Sequence, residues 1–255
     1  MSVAVYQPQS DLVAKVRRRL SRHLARRAIS PTLSKGIVSL SFDDCPRSVL
    51  DNALPQIEAR GWAATIYASL GLCNTTNHLG PHMSETDLQS VSQRGHEIGD
   101  HSFSHMDAMQ AGPTAFLADI ARNRAGFDRL DLPRARTFAY PYGEVTPSVK
   151  RVVGREFALS RGIHDPDGAS IDLDLAASAR LYSNTIGTVL DQVDVAARDR
   201  RWLILFGHDV RDNPSEFGCT PDELTTVLDR ISALDLDVHP VATALDIIQQ
   251  EAAPS

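Results

Sequence analysis

Three features are scarce or missing in this chain of 255 residues, and each absence excludes a class of protein. Cysteine occurs only as Cys45, Cys73 and Cys219, which excludes a disulfide-stapled miniprotein and a zinc site built from cysteines. No run of eighteen apolar residues occurs, so no membrane-spanning helix is expected. Residues 1–12 lack the charged-then-apolar order of a secretory signal. Together with thiols suited to a reducing compartment, this predicts a cytoplasmic protein.

Charge is unevenly distributed along the chain. The net charge is −6, from 26 Lys and Arg against 32 Asp and Glu, yet residues 11–29, the basic segment, hold seven basic residues and one acid. Aliphatic residues recur in this segment every four positions, as in an amphipathic helix: Leu12, Val16, Leu20, Leu24 and Ala28. Such a helix either packs on its own acidic domain or docks on an anionic membrane surface, and both interpretations stay open. We expect no nucleic-acid partner.

The rest of the chain shows the pattern of a single α/β domain. No linker, repeat or low-complexity stretch divides residues 36–250, and residues 1–35 precede them as an N-terminal extension. Short apolar runs cover residues 36–42, 63–69, 96–100, 136–141, 157–161 and 202–208. Helical patterns alternate with them, at 48–60, 84–94, 113–129, 146–154, 187–199 and 221–233. A Rossmann sheet would need a glycine-rich phosphate loop, which is missing. We predict a distorted parallel (β/α) barrel of about seven strands.

Polar clusters follow four of the predicted strands. They are Asp43-Asp44, the segment from Asp100 to His105, the segment from Tyr140 to Gly143, and Gly207-His208-Asp209. The carboxyl ends of parallel barrel strands open on one face, so these segments are expected to meet in one pocket.

A metal site is one interpretation of this pocket. His101 and His105 are four residues apart, so on a helix both imidazoles would face the same way, as paired ligands of a divalent metal must. Asp44 is the candidate third ligand, and two histidines with one carboxylate leave a position for water on a catalytic zinc. An ordinary hydrogen-bonding role for the histidines is the alternative.

Three further residues have expected roles in proton transfer and charge stabilisation. Asp43, beside a metal held by Asp44, is a candidate general base, although aspartates before a proline also cap helices and turns. His208 is a candidate general acid, with a structural histidine as the alternative. The turn at Tyr142 can aim a backbone N–H at an oxyanion.

The motifs resemble those of polysaccharide deacetylases with the NodB homology domain, also called carbohydrate esterase family 4, over residues 36–245. Ser41 to Asp44 is similar to the motif [ST]FDD, and His101 to His105 to H[ST]xxH. Ala139 to Gly143 is similar to a variant of the third motif, and Phe206 to His208 to LxH. The resemblance implies Asp43 as base, His208 as acid, and Asp44, His101 and His105 as metal ligands.

Three departures from the family pattern stand out. The arginine that braces the catalytic aspartate in the family is replaced by Ala139, and we predict that Arg180, or another arginine from a neighbouring loop, approaches Asp43 instead. The family's fourth motif, DxxDW, is not legible. Cys45 stands where a glycine commonly follows the FDD sequence.

The resemblance implies a metal-dependent hydrolase that removes an N-acetyl or other acyl group from an amino sugar or glycan, with zinc as the expected ion and cobalt as another option. Two alternatives remain open. One is hydrolysis of an O-acetyl ester or a non-sugar amide on the same scaffold. The other is a non-catalytic carbohydrate-binding protein, which the missing arginine would favour.

Overall fold

A computed structural model describes residues 12–251 of the chain except 167 and 169. Its strands, in chain order, are β1 Ala28–Ile29, β2 Ile37–Asp43, β3 Thr65–Ala68, β4 Thr76–Asn77, β5 Gly80–Pro81, β6 Glu97–Asp100, β7 Thr137–Ala139, β8 Leu159–Arg161, β9 Ile171–Asp172, β10 Ala179–Arg180, β11 Trp202–Gly207 and β12 Asp237–Val238. The α-helices are α1 Leu12–His23, α2 Leu54–Glu58, α3 Glu85–Gln93, α4 Pro113–Arg129, α5 Pro147–Val153, α6 Ile186–Asp199, α7 Pro221–Ala233 and α8 Val241–Glu251. A π-helical segment, Val49–Ala53, leads into α2.

Seven strands form one parallel sheet in the order β10-β11-β2-β3-β6-β7-β8. The short strand β12 pairs with the start of β2, at Ile37 and Val38, before β3 joins the same strand at Ser41. Every side chain of β2 is buried, as expected for a parallel strand covered on both faces.

The sheet curves into a barrel that stays open on one side. Among the described residues no strand ladder joins β8 to β10, and only an isolated bridge from Arg161 to Ala176 lies next to this gap. The predicted barrel of about seven strands is therefore confirmed, with β8 and β10 at its two edges.

Helices α3 and α7 begin at side-chain caps that the sequence supplies. At α7, the Thr220 side chain accepts from the Glu223 N–H while the Glu223 carboxylate accepts from the Thr220 N–H, and Pro221 occupies the first helical turn. Helix α3 has the same reciprocal cap between Ser84 and Asp87. Because these caps fix where the helices start, they also fix the loops that leave the strand ends.

Helix α1 packs on the barrel through α5 and β9. The Ser21 hydroxyl donates to the Val145 carbonyl at 2.5 Å. The fully buried Lys150 ammonium donates to the carbonyls of Ser21 and Leu24, at 2.8 and 3.0 Å, and to the Asp172 carboxylate at 2.6 Å. Three donors on one nitrogen thus meet three acceptors, which ties the end of α1 to the barrel.

The aliphatic stripe of the basic segment does not face the barrel. Val16, Leu20 and Leu24 are 50%, 45% and 47% exposed, and they are the large hydrophobic side chains most exposed in the part of the chain that the structure describes. The helix therefore packs on its own domain and still presents apolar side chains outward. No helix among the described residues is long and apolar enough to cross a membrane.

Candidate active site

A cavity of about 420 Å³ lies at the carboxyl edge of the sheet. Its lining includes six of the seven candidate site residues: Asp43, Asp44, His101, His105, Tyr142 and His208. They follow the ends of β2, β6, β7 and β11. The expected convergence of these segments on one pocket is present in the structure.

Asp43 and Asp44 point to different partners because the backbone turns sharply at the end of β2. Asp43 is the last strand residue, whereas Asp44 and Cys45 have φ values of +65° and +55°. Non-glycine residues in this left-handed region cost of order 1–3 kcal/mol each and persist where the surrounding structure holds them. The strained turn sends the two neighbouring carboxylates to separate sites, so that they do not compete for one position.

The partner of Asp43 is Arg161, at the end of β8. The two buried side chains form a salt bridge in which the guanidinium donates to Asp43 Oδ1. The guanidinium also lies 4.8 Å from the ring centres of Tyr67 and Phe206. Burial is the largest single influence and raises the pKa of Asp43, but Arg161, with smaller contributions from His101 and His208, lowers the net pKa.

The expected contact between Arg180 and Asp43 is absent, so the choice of Arg180 is wrong, whereas the expectation that an arginine approaches Asp43 is met by Arg161. The Arg180 guanidinium lies 3.3 Å from the Asp165 carboxylate and 3.3 Å from the Ile163 carbonyl. Arg180 belongs to β10 at one edge of the open barrel, whereas Arg161 ends β8 at the other edge, is fully buried and reaches Asp43. The alternative, an arginine from another element, describes what the structure shows.

Asp44 lies against the two histidines of the second motif. Its Oδ1 is 3.2 Å from His105 Nε2 and 3.5 Å from His101 Nε2, and the three ligand atoms lie within 4.8 Å of one another. Neighbouring ligands of a tetrahedral zinc at bond lengths of about 2.0–2.1 Å are separated by about 3.3 Å. The trio therefore has the spacing and donor types of a divalent metal site.

The protonation of His101 also fits a cation at this place. Its Nδ1 lies 2.7 Å from the Ala139 carbonyl, which can only accept, so Nδ1 carries the proton. Burial lowers the pKa of His101 to about 4, so the ring is neutral and the Nε2 lone pair faces Asp44. Asp44 Oδ1 is itself buried and has no hydrogen-bond partner among the described residues. A lone pair facing a carboxylate oxygen is unfavourable unless a cation lies between them.

The two histidines reach Asp44 without the expected helix. Residues 101–107 form no regular element, and the chain turns at Ser102 and His105, with φ values of +57° and +53°. The two imidazole centres are 4.9 Å apart. The HxxxH spacing therefore indicated the pair correctly, but the geometry that brings it together is a strained loop.

Tyr142 lies in a tight turn beside His105. The turn covers Pro141–Gly143, Tyr142 has φ +59°, and its ring meets the His105 ring edge to face at a centroid distance of 4.5 Å. A side chain at Gly143 would clash with Ile163, because a Cβ there would lie 2.2 Å from Ile163 Cγ1. The turn is thus held against the site by the Ile163 side chain.

His208 lies on the β11 side of the cavity. Its Nδ1 is 3.2 Å from the Phe217 carbonyl, so the hydrogen bond places the proton on Nδ1 of the neutral ring and leaves Nε2 for another partner. The neighbouring Asp209 neither orients His208 nor lies at the surface. It is fully buried, and its carboxylate accepts from Arg211 and from the backbone and hydroxyl of Ser215. Asp209 therefore fixes the loop that carries Phe217.

Sequence reasoning missed Arg161 and the aromatic wall of the cavity. Arg161 ends the predicted strand 157–161, so the rule applied to the other strand ends would have singled it out. Tyr182, Phe206 and Phe217 surround the His208 ring at centroid distances of 5.7–6.3 Å. No sequence pattern marks Tyr182 or Phe217, because they lie in loops outside the predicted strands.

The sequence model of the polysaccharide deacetylase family matches residues 30–156, which contain Asp43, the proposed metal trio and Tyr142. The chain belongs to the polysaccharide deacetylase family. No curated protein sequence matches the chain.

Solved structures of family members share the fold of this polysaccharide deacetylase at low sequence identity. The Xyl-CE4 domain of a multidomain xylanase from the hindgut metagenome of Trinervitermes trinervoides is 16% identical, with a TM-score of 0.56 over 87% of this chain and 93% of that domain. A family 4 acetyl xylan esterase from Clostridium thermocellum, solved with a cobalt ion, is 18% identical, with a TM-score of 0.58 over 86% and 93%. A peptidoglycan deacetylase from Bacillus subtilis is 15% identical, with a TM-score of 0.56 over 85% and 93%.

Proposed function

We propose that this polysaccharide deacetylase is a metal-dependent hydrolase that removes the N-acetyl group from an amino sugar or glycan. The observation that carries the proposal is the pair of adjacent carboxylates with separate partners: Asp44 faces two histidine nitrogens, and Asp43 faces a buried guanidinium. One carboxylate is thereby suited to hold an ion and the other to accept a proton. Zinc is the proposed ion because the donors are two imidazoles and one carboxylate, and cobalt suits the same set.

A divalent ion held by Asp44, His101 and His105 would polarise the acyl carbonyl and make water more acidic. Asp43 accepts the proton of the attacking water, and Arg161 keeps its carboxylate ionised and oriented. The backbone N–H of Tyr142 donates to the oxygen of the carbonyl as negative charge develops on it. In its imidazolium form, with a proton on each nitrogen, His208 donates the Nε2 proton to the departing amine and keeps the Nδ1 proton on the Phe217 carbonyl.

The same residues would also hydrolyse an O-acetyl ester, and the acetyl xylan esterase of similar fold motivates that second candidate. The non-catalytic alternative loses its main support, because Arg161 supplies the guanidinium that Ala139 lacks.

We further propose that α1 contacts an anionic membrane surface from the cytoplasm. Its exposed stripe, Val16, Leu20 and Leu24, lies on a helix whose segment holds seven basic residues. Apolar side chains flanked by cations are the features that place a helix in the interface of an anionic bilayer.

A panel of N-acetylated and O-acetylated sugars and a non-sugar amide tests the reaction. Each substrate is incubated with the protein loaded with zinc, loaded with cobalt, or stripped of metal, and both acetate release and amine formation are measured. The proposal expects equal amounts of acetate and amine with N-acetylated sugars and no turnover after metal removal. Acetate without amine would favour the esterase candidate, and turnover unaffected by metal removal would contradict the metal site.

A further inference from the structure

Two further hollows lie between the active-site cavity and helix α1. A small hollow of about 130 Å³ shares Gly143 and Ile163 with the active-site cavity. It shares Arg22 and Arg180 with a larger hollow of about 850 Å³, which we call the basic hollow. The hollows therefore adjoin one another between the proposed catalytic residues and the basic face of α1, and the contact between Gly143 and Ile163 forms the wall between the first two.

The basic hollow has an excess of positive charge in an otherwise acidic protein. Five cationic side chains line it: Lys15, Arg19, Arg22, Arg26 and Arg180. Among the described residues, two carboxylates line the basic hollow. Asp165 lies 3.3 Å from Arg180, and Asp172 accepts a hydrogen bond from the ammonium group of the buried Lys150.

The cations contributed by α1 are largely uncompensated. Lys15, Arg19 and Arg22 are exposed and have no acidic partner in the part of the chain that the structure describes. Like charges gathered around one hollow repel one another unless an anion enters. Their grouping around one space is therefore unexplained by the packing of α1, which uses Ser21 and Lys150 instead.

We propose that the basic hollow binds a phosphate or diphosphate group carried by the acylated glycan. This inference rests on the proposed deacetylase function. Arg19 and Arg22 are three residues apart and so lie on neighbouring positions of one helix face, and guanidinium groups match phosphate oxygens in bidentate pairs. Five cationic side chains and two carboxylates line the basic hollow, and the remaining charge of +3 suits a group with two or three negative charges better than a single carboxylate.

The first test compares a neutral N-acetylated chitotriose with the same trisaccharide carrying a phosphate ester at its reducing end. The measured quantity is the ratio of kcat/KM for the phosphorylated over the neutral substrate within each protein, so that a general loss of activity cancels. We expect a ratio of about ten or more in the wild type, as for a contact of about 1.4 kcal/mol. The double substitution Arg19→Gln, Arg22→Gln should bring the ratio to about one. Arg134→Gln, which removes an exposed arginine outside the hollow, should keep the wild-type ratio.

The second test measures binding without turnover. Titration calorimetry with inorganic pyrophosphate should give an affinity that falls about tenfold or more in the double variant and stays the same in Arg134→Gln. Loss of binding in the double variant, with no turnover of either trisaccharide by the wild type, would support the phosphate site and contradict the deacetylase function. A ratio of about one in the wild type together with no pyrophosphate binding would overturn the proposed site.

A phospholipid headgroup carries the same phosphate chemistry, so a third measurement separates the two sources. Wild type and double variant are sedimented with phosphatidylglycerol vesicles and with phosphatidylcholine vesicles. A substrate site predicts that soluble phosphorylated trisaccharide competes with pyrophosphate in the absence of vesicles. If the double variant loses only vesicle binding and the substrate ratio of the wild type is about one, the assignment to the substrate is wrong.

Discussion

Arg161 donates to the carboxylate of Asp43 from the neighbourhood of the open side of the barrel, and both side chains are buried. The chain keeps a guanidinium beside its proposed base although the arginine of the third family motif is replaced by Ala139. The positive charge beside Asp43 comes from the end of β8 in this chain, and not from the third motif. An arginine that pairs with the proposed base can thus come from the end of a different strand.

Arg161→Gln should destabilise the protein and shift its pH profile. Loss of one partner leaves the Asp43 charge buried and unpaired, at a cost of about 3–5 kcal/mol. Arg161 lowers the folded-state pKa of Asp43, so the pair stabilises the fold above the unfolded pKa of about 3.9, and this contribution is lost as pH falls through the folded pKa. Without Arg161, burial alone raises that pKa, and the acidic limb of kcat/KM should move to higher pH. An unchanged limb in a folded variant would contradict the pairing.

Asp44→Asn and Asp43→Asn should differ in metal content, although the substitutions are chemically identical. Asp44→Asn replaces an anionic ligand with a neutral one and should weaken metal binding, with partial recovery of activity in excess metal. Asp43→Asn should keep the ion, but its rate should fall by a factor of about 10²–10⁴, because an amide cannot accept the proton of water. Elemental analysis and kinetics check both. If Asp43→Asn lost the ion and Asp44→Asn kept it, the two roles would be reversed.

The double substitution His101→Ala, His105→Ala should abolish the binding of about one divalent ion per chain. His78→Ala provides a matched control, because His78 lines the same cavity but lies outside the trio with Asp44. Elemental analysis after gel filtration should find the ion in the control and not in the double variant. Full metal content in the double variant would place the ion elsewhere.

Cys45→Gly should be more stable than Cys45→Ala. Cys45 has φ +55°, where a Cβ costs roughly 1–2 kcal/mol and glycine has no such penalty. Both substitutions remove the buried sulfur, which lies 3.8 Å from the Tyr67 carbonyl, so the comparison isolates the backbone. At ordinary positions alanine is the more stable of the two. A higher Tm for the alanine variant would contradict the strain at this turn.

The triple substitution Val16→Ser, Leu20→Ser, Leu24→Ser should weaken sedimentation with phosphatidylglycerol vesicles. These side chains are exposed, so the Tm should stay close to that of the wild type. Phosphatidylcholine vesicles serve as the control for charge, since they should bind neither protein strongly. Equal binding of the wild type and the triple variant to anionic vesicles would show that the stripe does not contact lipid.

The sequence predicted the barrel because its strands are short apolar runs with polar strand ends. The runs at 36–42 and 202–208 match the central strands β2 and β11, and the pattern at 113–129 matches α4. The strands β10 and β12 have only two residues each, too few to show the hydrophobic pattern of a strand. Nothing in the sequence therefore distinguishes them from loops. Helix α8 was also missed, although it packs on β2, where Ala244 and Ile248 share a hydrophobic cluster with Ile37.

For the active site, the sequence indicated which residues lie close together but not the backbone conformation that brings them together. Asp44 and His105 are in the left-handed region, and only the contacts of the folded protein hold them there. The spacing of His101 and His105 suggested a helix because helices are the common way to align such a pair. Arg161 was not considered, although it ends a predicted strand, and sequence position alone does not show which arginine reaches Asp43.

Lys150 fixes more than the position of α1. Its three hydrogen bonds to Ser21, Leu24 and Asp172 originate from a fully buried side chain of α5, so α1 cannot rotate about its own axis without breaking them. The angle between the exposed stripe of α1 and the mouth of the active-site cavity is therefore set by the core. If α1 binds a flat surface, the whole protein is held there in one orientation. The distance of the active site from that surface, and its angle to it, are then fixed by the fold. Removal of the N-terminal residues would test folding and orientation together, whereas substitutions on the stripe separate the two.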